Sequence, residues 1–219
     1  MSHFEPVADA RPDDRPWPRL RWPLEAGVTL RGRVVELSQF DRGRDAEALF
    51  ATLDDRPAWE HVAGRPRDAA DYGAALEAAP SAGRFPWVVR LVAPLAGLAA
   101  GSVIGTSSYL DVSVADARLE IGSTAYDSRV WGSAVNPEAK LLLLSHAFDV
   151  LGAGRVQLKT DVRNQRSQSA IARLGARYEA TLRRYQRRSD DTVRDTILFS
   201  ILAEEWPEVR AGLVARLPA

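Results

Sequence analysis

The chain predicts one domain of the mixed α/β (α+β) class, and three observations carry that prediction. Segments alternating apolar and polar residues, as strands do, are interleaved with segments of helical period. The apolar fraction, 46% of 219 residues, suffices for one core of ordinary size. No internal repeat is visible, and the order of elements favours a single mixed sheet flanked by helices over two separate domains.

Residues 1–23 are rich in Pro, Arg and Asp and are expected to form an extended or partly disordered lead, with Trp17 and Trp22 docking its later part on a body spanning 24–219. In that body 28–37 alternates as an opening strand. Residues 41–53 and 68–79 read as helices, opened by Asp41 and Asp68 as N-caps. Residues 86–92 and 102–109 read as a hairpin whose apolar connection, 94–101, is expected to be a buried or partner-covered turn and not a membrane contact. A strand over 118–124 precedes the strongest helix, 137–151, where Leu141, Leu144, Ala147, Phe148 and Leu151 recur at helical spacing. A strand over 156–161 and a helix over 164–174 follow, with Gly175 placed to stop the helix. Strands over 178–187 and 193–202 and a helical segment over 206–217 close the chain.

Charge and residue usage narrow the function. Lys+Arg and Asp+Glu are both 29, so no overall field recruits nucleic acid or an anionic membrane. Arg183, Arg184, Arg187 and Arg188 form a local basic cluster, but alternation divides them between two faces of a strand. The absence of cysteine excludes a disulfide framework, a thiolate metal site and an acyl-cysteine intermediate. His3, His61 and His146 match no metal-binding spacing, so no metal is expected, and His146 reads as structural. Without a secretory leader or a span of membrane length, the expectation is a soluble cytoplasmic protein.

The most informative stretch is Arg129-Val130-Trp131-Gly132-Ser133-Ala134-Val135-Asn136-Pro137-Glu138, which joins a strand to the strongest helix through small residues. Gly132 opens backbone conformations closed to other residues, and Ser133 and Ala134 permit close approach of a ligand. Asn136 is a good N-cap and Pro137 a good first helical residue, so the helix start offers N–H groups and a positive dipole end to a phosphate. Glu120, between Leu119 and Ile121, faces opposite to both on its strand; it reads either as a base or as a carboxylate paired with an arginine such as Arg118. Asn164 reads locally as a helix cap, with Ser167 completing the hydrogen bonds.

The pattern at Arg129–Ala134 (Arg or Gln, two variable residues, Gly, one variable, Gly or Ala), joined to Asn164-x-x-Ser167 and Leu174-Gly175, resembles the acyl-CoA-binding core of the GNAT superfamily of N-acetyltransferases. Leu119-Glu120-Ile121-Gly122, Arg194-Asp195-Thr196 and Glu205-Trp206-Pro207 further resemble the ribosomal-protein N-terminal acetyltransferase (RimJ/RimL-like) branch, over 28–217. The resemblance implies a mostly antiparallel central sheet of about seven strands. It implies acetyl-CoA as cosubstrate, held by Arg129, Val130, Trp131, Gly132, Ser133 and Ala134, with Asn164 on the pantetheine arm and Ser167 near the sulfur. It further implies Glu120 as base, direct attack by an amine in a ternary complex, and a homodimer. The acceptor is a primary amine, most simply a protein or peptide α-amine; a small amine (polyamine, amino acid or antibiotic) and a non-catalytic acyl-CoA sensor are the alternatives. Many members carry a Tyr proton donor where this chain has Ile171, so Ser167, or a water it holds, takes that role.

Overall fold

The computed structural model describes residues 5–9, 16–60, 62, 64–188 and 190–217; His3 and His61 lie outside them. The strands are β1 (Thr29–Arg31), β2 (Val35–Gln39), β3 (Phe85–Leu91), β4 (Val103–Ser113), β5 (Arg118–Tyr126), β6 (Arg155–Asp161), β7 (Arg177–Arg187) and β8 (Val193–Leu202). The helices are α1 (Arg42–Leu53), α2 (Arg56–Trp59), α3 (Ala69–Ala78), α4 (Val135–Ser145), α5 (Gln165–Arg173) and α6 (Trp206–Ala215). Among the described residues all eight strands form one sheet, ordered β1-β2-β3-β4-β5-β6-β8-β7, and only the β5–β6 pair is parallel. The predicted class and the mostly antiparallel sheet are therefore those observed.

Alternation of side chains divides the core between the two faces. On one face α4 and α6 bury Ala139, Leu143, Leu144 and Leu213 with Trp87, Tyr109 and Leu119 of the sheet. On the other, α1 and α3 bury Leu49, Leu53, Tyr72 and Leu76 against Val88 and Ala125. Asp41 and Asp68 cap α1 and α3 as predicted, accepting from the N–H groups of Arg44 (2.9 Å) and Asp71 (2.7 Å). Gly175, at φ +96°, ends the turn after α5. His146 is buried in a π-helical extension of α4, its Nδ1 3.2 Å from the Tyr109 hydroxyl.

Three local expectations are corrected. The single opening strand is two, because the chain turns at Gly32 to wrap the buried carboxylate of Glu138, which accepts N–H bonds from Arg33 (2.9 Å), Val34 (2.6 Å) and Val35 (2.7 Å). A Cβ at Gly32 would collide with that carboxylate. This extra turn makes the sheet eight-stranded instead of seven. The helix after the loop starts at Val135 and not at Pro137, since the Ser133 hydroxyl accepts the Val135 N–H (3.2 Å) and the Ala134 carbonyl accepts that of Glu138 (3.0 Å). Pro137 still falls in the first turn, where its missing N–H is harmless.

The later part of the lead docks as expected: Trp17 Nε1 donates to the Asp116 carbonyl (2.7 Å), Leu20 is buried, and Trp22 meets Phe85 edge-on at 4.7 Å. In the 94–101 connection Leu95 and Leu98 exchange backbone hydrogen bonds (2.9 and 3.0 Å) around Ala96 and Gly97, both at positive φ, and their side chains lie against the core. Among the described residues no helix is long and apolar enough to cross a membrane.

Candidate active site

The one parallel pair in the sheet is also where the sheet opens. β5 and β6 are in register only from Arg118 opposite Arg155 to Glu120 opposite Gln157; beyond that the strands part. On its other edge β5 carries a bulge, with the four residues from Gly122 to Ala125 opposite three of β4, Thr106 to Ser108, and Ser123 is driven to φ +46°. A cleft of about 910 Å³ fills the opening. Its walls include Trp59, Tyr72 and Arg84 on the face of α1 and α3, and Gly132, Asn136 and Ser167 on the face of α4.

Val130, Trp131, Gly132 and Ser133 of the loop form one rim, whereas Arg129 and Ala134 at its two ends do not line the cleft. Gly132 takes φ +76°, and a Cβ there would meet no atom within 4 Å, so the demand for glycine is conformational and not steric. Ser133 donates its hydroxyl to the Val130 carbonyl (2.6 Å) and braces the turn. The N–H groups of Trp131, Ser133 and Val135 are taken up locally, whereas those of Gly132, Ala134 and Asn136 have no partner among the described residues. Arg129 is held by the buried Asp127 through a forked contact (Nη2 to Oδ2, 2.6 Å) that keeps Asp127 below the usual carboxylate range despite burial. Val130 is buried beneath the loop. The Trp131 ring carries the Arg166 guanidinium 3.5 Å from its centroid, linking the loop to the start of α5.

α5 forms the facing rim. Asn164 caps it, its Oδ1 accepting the Ser167 N–H (2.9 Å), so its amide NH2 stays available while the Ser167 hydroxyl has no partner among the described residues. Both residues line the cleft, as does the buried Ile171. Tyr126 also lines the cleft, while its hydroxyl oxygen is buried without a hydrogen-bond partner among the described residues.

Glu120 lies where the strands part, 8% exposed. Arg118 is not its partner; Lys159 of β6 is, at 2.8 Å. Gly122 leaves room for this carboxylate, since a Cβ there would come 2.8 Å from Oε1. Burial raises the Glu120 pKa above the usual carboxylate range, and the Lys159 ammonium offsets this only in part. Burial opposes the charge on Lys159, but Glu120, Asp111 (3.0 Å) and the Tyr185 hydroxyl (3.2 Å) outweigh it and keep the side chain protonated. Asp195 accepts the Arg184 N–H (2.7 Å) and braces the β7–β8 hairpin, away from Glu120.

The sequence reading missed Lys140. It projects from α4 to the sheet, 5% exposed, with its Nζ bonded to the hydroxyls of Thr124 (2.8 Å) and Ser107 (3.1 Å). No carboxylate pairs with it among the described residues, and burial lowers its pKa to about 7. The signal was present: Lys140 sits on the helical stripe of Leu143, Leu144 and Ala147. Between pH 7 and 10.5 the unfolded chain holds a proton that the folded state releases, so stability rises with pH across that window and the cost of Lys140 is largest below it. Lys140→Met is expected to stabilise the protein by on the order of 2–4 kcal/mol at pH 6 and by much less at pH 10. Ser107 and Thr124, 2.8 Å apart, satisfy one another when the ammonium is gone. Paired thermal melts at the two pH values check this; equal gains at both would contradict it.

Comparison with known proteins agrees with this geometry. Residues 35–177 match the model of the acetyltransferase (GNAT) domain. A GCN5-related N-acetyltransferase from Brucella melitensis superposes with a TM-score of 0.81 at 25% identity, covering 91% of this chain and 88% of that one. A GNAT-family protein of Chromobacterium violaceum ATCC 12472 gives 0.79 at 29% identity, covering 93% and 100%. Mycobacterium smegmatis RimJ, solved with CoA-disulfide, gives 0.71 at 25% identity, covering 91% and 96%. No curated protein matches the chain. The chain belongs to the GNAT acetyltransferase family and is an N-acetyltransferase; among the described residues no cluster of three or more His, Cys, Asp or Glu offers a metal site.

Proposed function

We propose that the protein moves an acetyl group from acetyl-CoA to a primary amine, most simply a peptide α-amine, by direct attack in a ternary complex. The observation that carries this reading is the placement of Glu120 at the point where β5 and β6 part. The unpaired N–H groups of Gly132, Ala134 and Asn136 lie at the start of α4, where backbone donors and the helix dipole suit a pyrophosphate. The Asn164 amide and the Ser167 hydroxyl fit the polar groups of a pantetheine arm. Arg129, already answered by Asp127 and outside the cleft lining, braces the loop.

The amine nitrogen bonds to the thioester carbon, the carbon–sulfur bond breaks, and the proton shed by the amine passes to Glu120, directly or through water. An α-amine, with a pKa near 8, loses its proton far more readily than a lysine near 10.4, and a carboxylate suffices as base for it. The departing thiolate takes its proton from solvent or through Ser167. With no cysteine in the chain, no acyl-thioester on the protein intervenes. A polycationic acceptor fits poorly. Of the acidic residues in and around the early helices only Asp71 reaches the cleft, and Arg67 already pairs with it at 2.9 Å.

A thiol-release assay with acetyl-CoA and peptides bearing free or blocked N-termini, with lysine side chains and polyamines alongside, tests this. Release on free N-termini that is lost on blocking is expected. Release only on polyamines would replace the α-amine reading, and CoA binding without release on any amine would point to a sensor.

A further inference from the structure

The half of the cleft beneath α3 carries a charge that acetyl transfer alone does not use. Every carboxylate lining the cleft has a cation: Asp71 has Arg67 (2.9 Å), Asp111 and Glu120 share Lys159 (3.0 and 2.8 Å), and Asp161 has Arg188 (2.5 Å). Arg84 has no such partner. Among the described residues its one hydrogen bond runs from Nε to the Ser108 hydroxyl (3.0 Å), which leaves its four Nη–H donors free. Burial weakens its hold on the proton, and the neighbouring Tyr72 opposes this only in part. A structural arginine in this fold looks different: Arg90 spends its donors on Asp45 and Ser38, and Arg188 on Asp161, Thr192 and the Val193 carbonyl. Arg194 also lines the cleft, but Glu120 and Asp161 already act on its charge.

Register places Arg84 relative to the reacting end. Ser108 lies opposite Gly122 and Leu110 opposite Glu120, so all four share one sheet face. Ser108, which anchors Arg84, is therefore the diagonal cross-strand neighbour of Glu120, with the two strand positions roughly 7–8 Å apart. Gly122, without a side chain, lets the Glu120 carboxylate lean over it toward Ser108, the anchor of Arg84. A partly buried guanidinium with a free planar fork is suited to a carboxylate, which it binds through two parallel hydrogen bonds.

We propose that Arg84 binds a carboxylate of the acceptor, so that the substrate is an amine that also carries an acid, seated with the acid at Arg84 and the amine at Glu120. This rests on the acetyl-transfer reading above and narrows its acceptor. The acid is either the side chain of an acidic residue near a peptide N-terminus or the α-carboxylate of a free amino acid.

Matched acceptors separate these sources: peptides with Asp or Asn, and Glu or Gln, at the second position, and free amino acids against their amides. Wild type is expected to use the acid of the relevant pair at least about tenfold better in kcat/KM. Arg84→Gln is expected to bring that ratio to within about twofold of one, and Arg84→Lys, with charge but no fork, to fall between. A thermal melt of R84Q no lower than wild type is also expected, because the charge it removes is partly buried without an anionic partner among the described residues; should R84Q not fold, the wild-type ratio still decides. Equal use of acid and amide by wild type, or an unchanged preference in R84Q, would overturn the assignment of Arg84 while the transferase stands. Failure to acetylate any amine would overturn both.

Discussion

Glu138→Ala is expected to cost about 3–5 kcal/mol of stability, the summed penalty for leaving one buried and two part-buried backbone N–H groups unanswered. At about 2–4 °C per kcal/mol for a domain of this size, melting should fall by roughly 6–20 °C. Two effects oppose each other here. Removing the carboxylate relieves the desolvation of a charge that has no cation among the described residues. It also strands the N–H groups of Arg33, Val34 and Val35, which converge on that carboxylate at 2.6–2.9 Å. The second effect wins, because the turn at Gly32 exists to make those contacts, and the position of Glu138 in the first turn of α4 already favours a negative charge. Glu138→Gln should fall between, since its NH2 would face donors. The turn also ties β1 and β2 to the helix that carries the loop, so acetyl-CoA affinity should weaken in E138A. A melt within 2 °C of wild type would show that water replaces the carboxylate and that the tie is dispensable.

Glu120→Gln is expected to lower kcat by about 10²–10³, the usual contribution of a positioned general base, with little change in melting temperature. Folding should survive because Lys159 keeps Asp111 and the Tyr185 hydroxyl when the Glu120 charge is gone. The pH profile gives the sharper test. Burial lifts the Glu120 pKa, so wild-type kcat should fall as the pH drops through that raised value and the base takes a proton. The variant should lose that acidic limb and keep only the dependence set by the acceptor amine. Retention of a third or more of wild-type kcat with an unchanged profile would remove Glu120 from the mechanism.

The parts of this account that were readable in the chain are those fixed by neighbours in sequence. The caps at Asp41 and Asp68, the stop at Gly175 and the β5–loop–α4 and β6–α5 units follow from local propensity and periodicity. The turn at Gly32 did not, because its cause, Glu138, lies more than a hundred residues away. The Glu120–Lys159 pair depends on two strands brought side by side by the parallel crossover through α4. In the sequence Lys159 has no signal beyond alternating with apolar neighbours in the 156–161 strand. Arg84 carried no sequence signal; its meaning depends on the partners it lacks in the folded chain. The early start of α4 was missed because Ser133 closes the first turn ahead of the better-known cap at Asn136.

The central claim is that the loop at 129–134 and the opening between β5 and β6 hold acetyl-CoA. Calorimetric titration of acetyl-CoA into the protein tests it most directly. The account predicts one saturable site per chain with Kd below about 1 mM, weakened about tenfold or more by Gly132→Val, which forces a β-branched residue to φ +76°. No saturable binding to wild type, or equal affinity in the Gly132 variant, would contradict it.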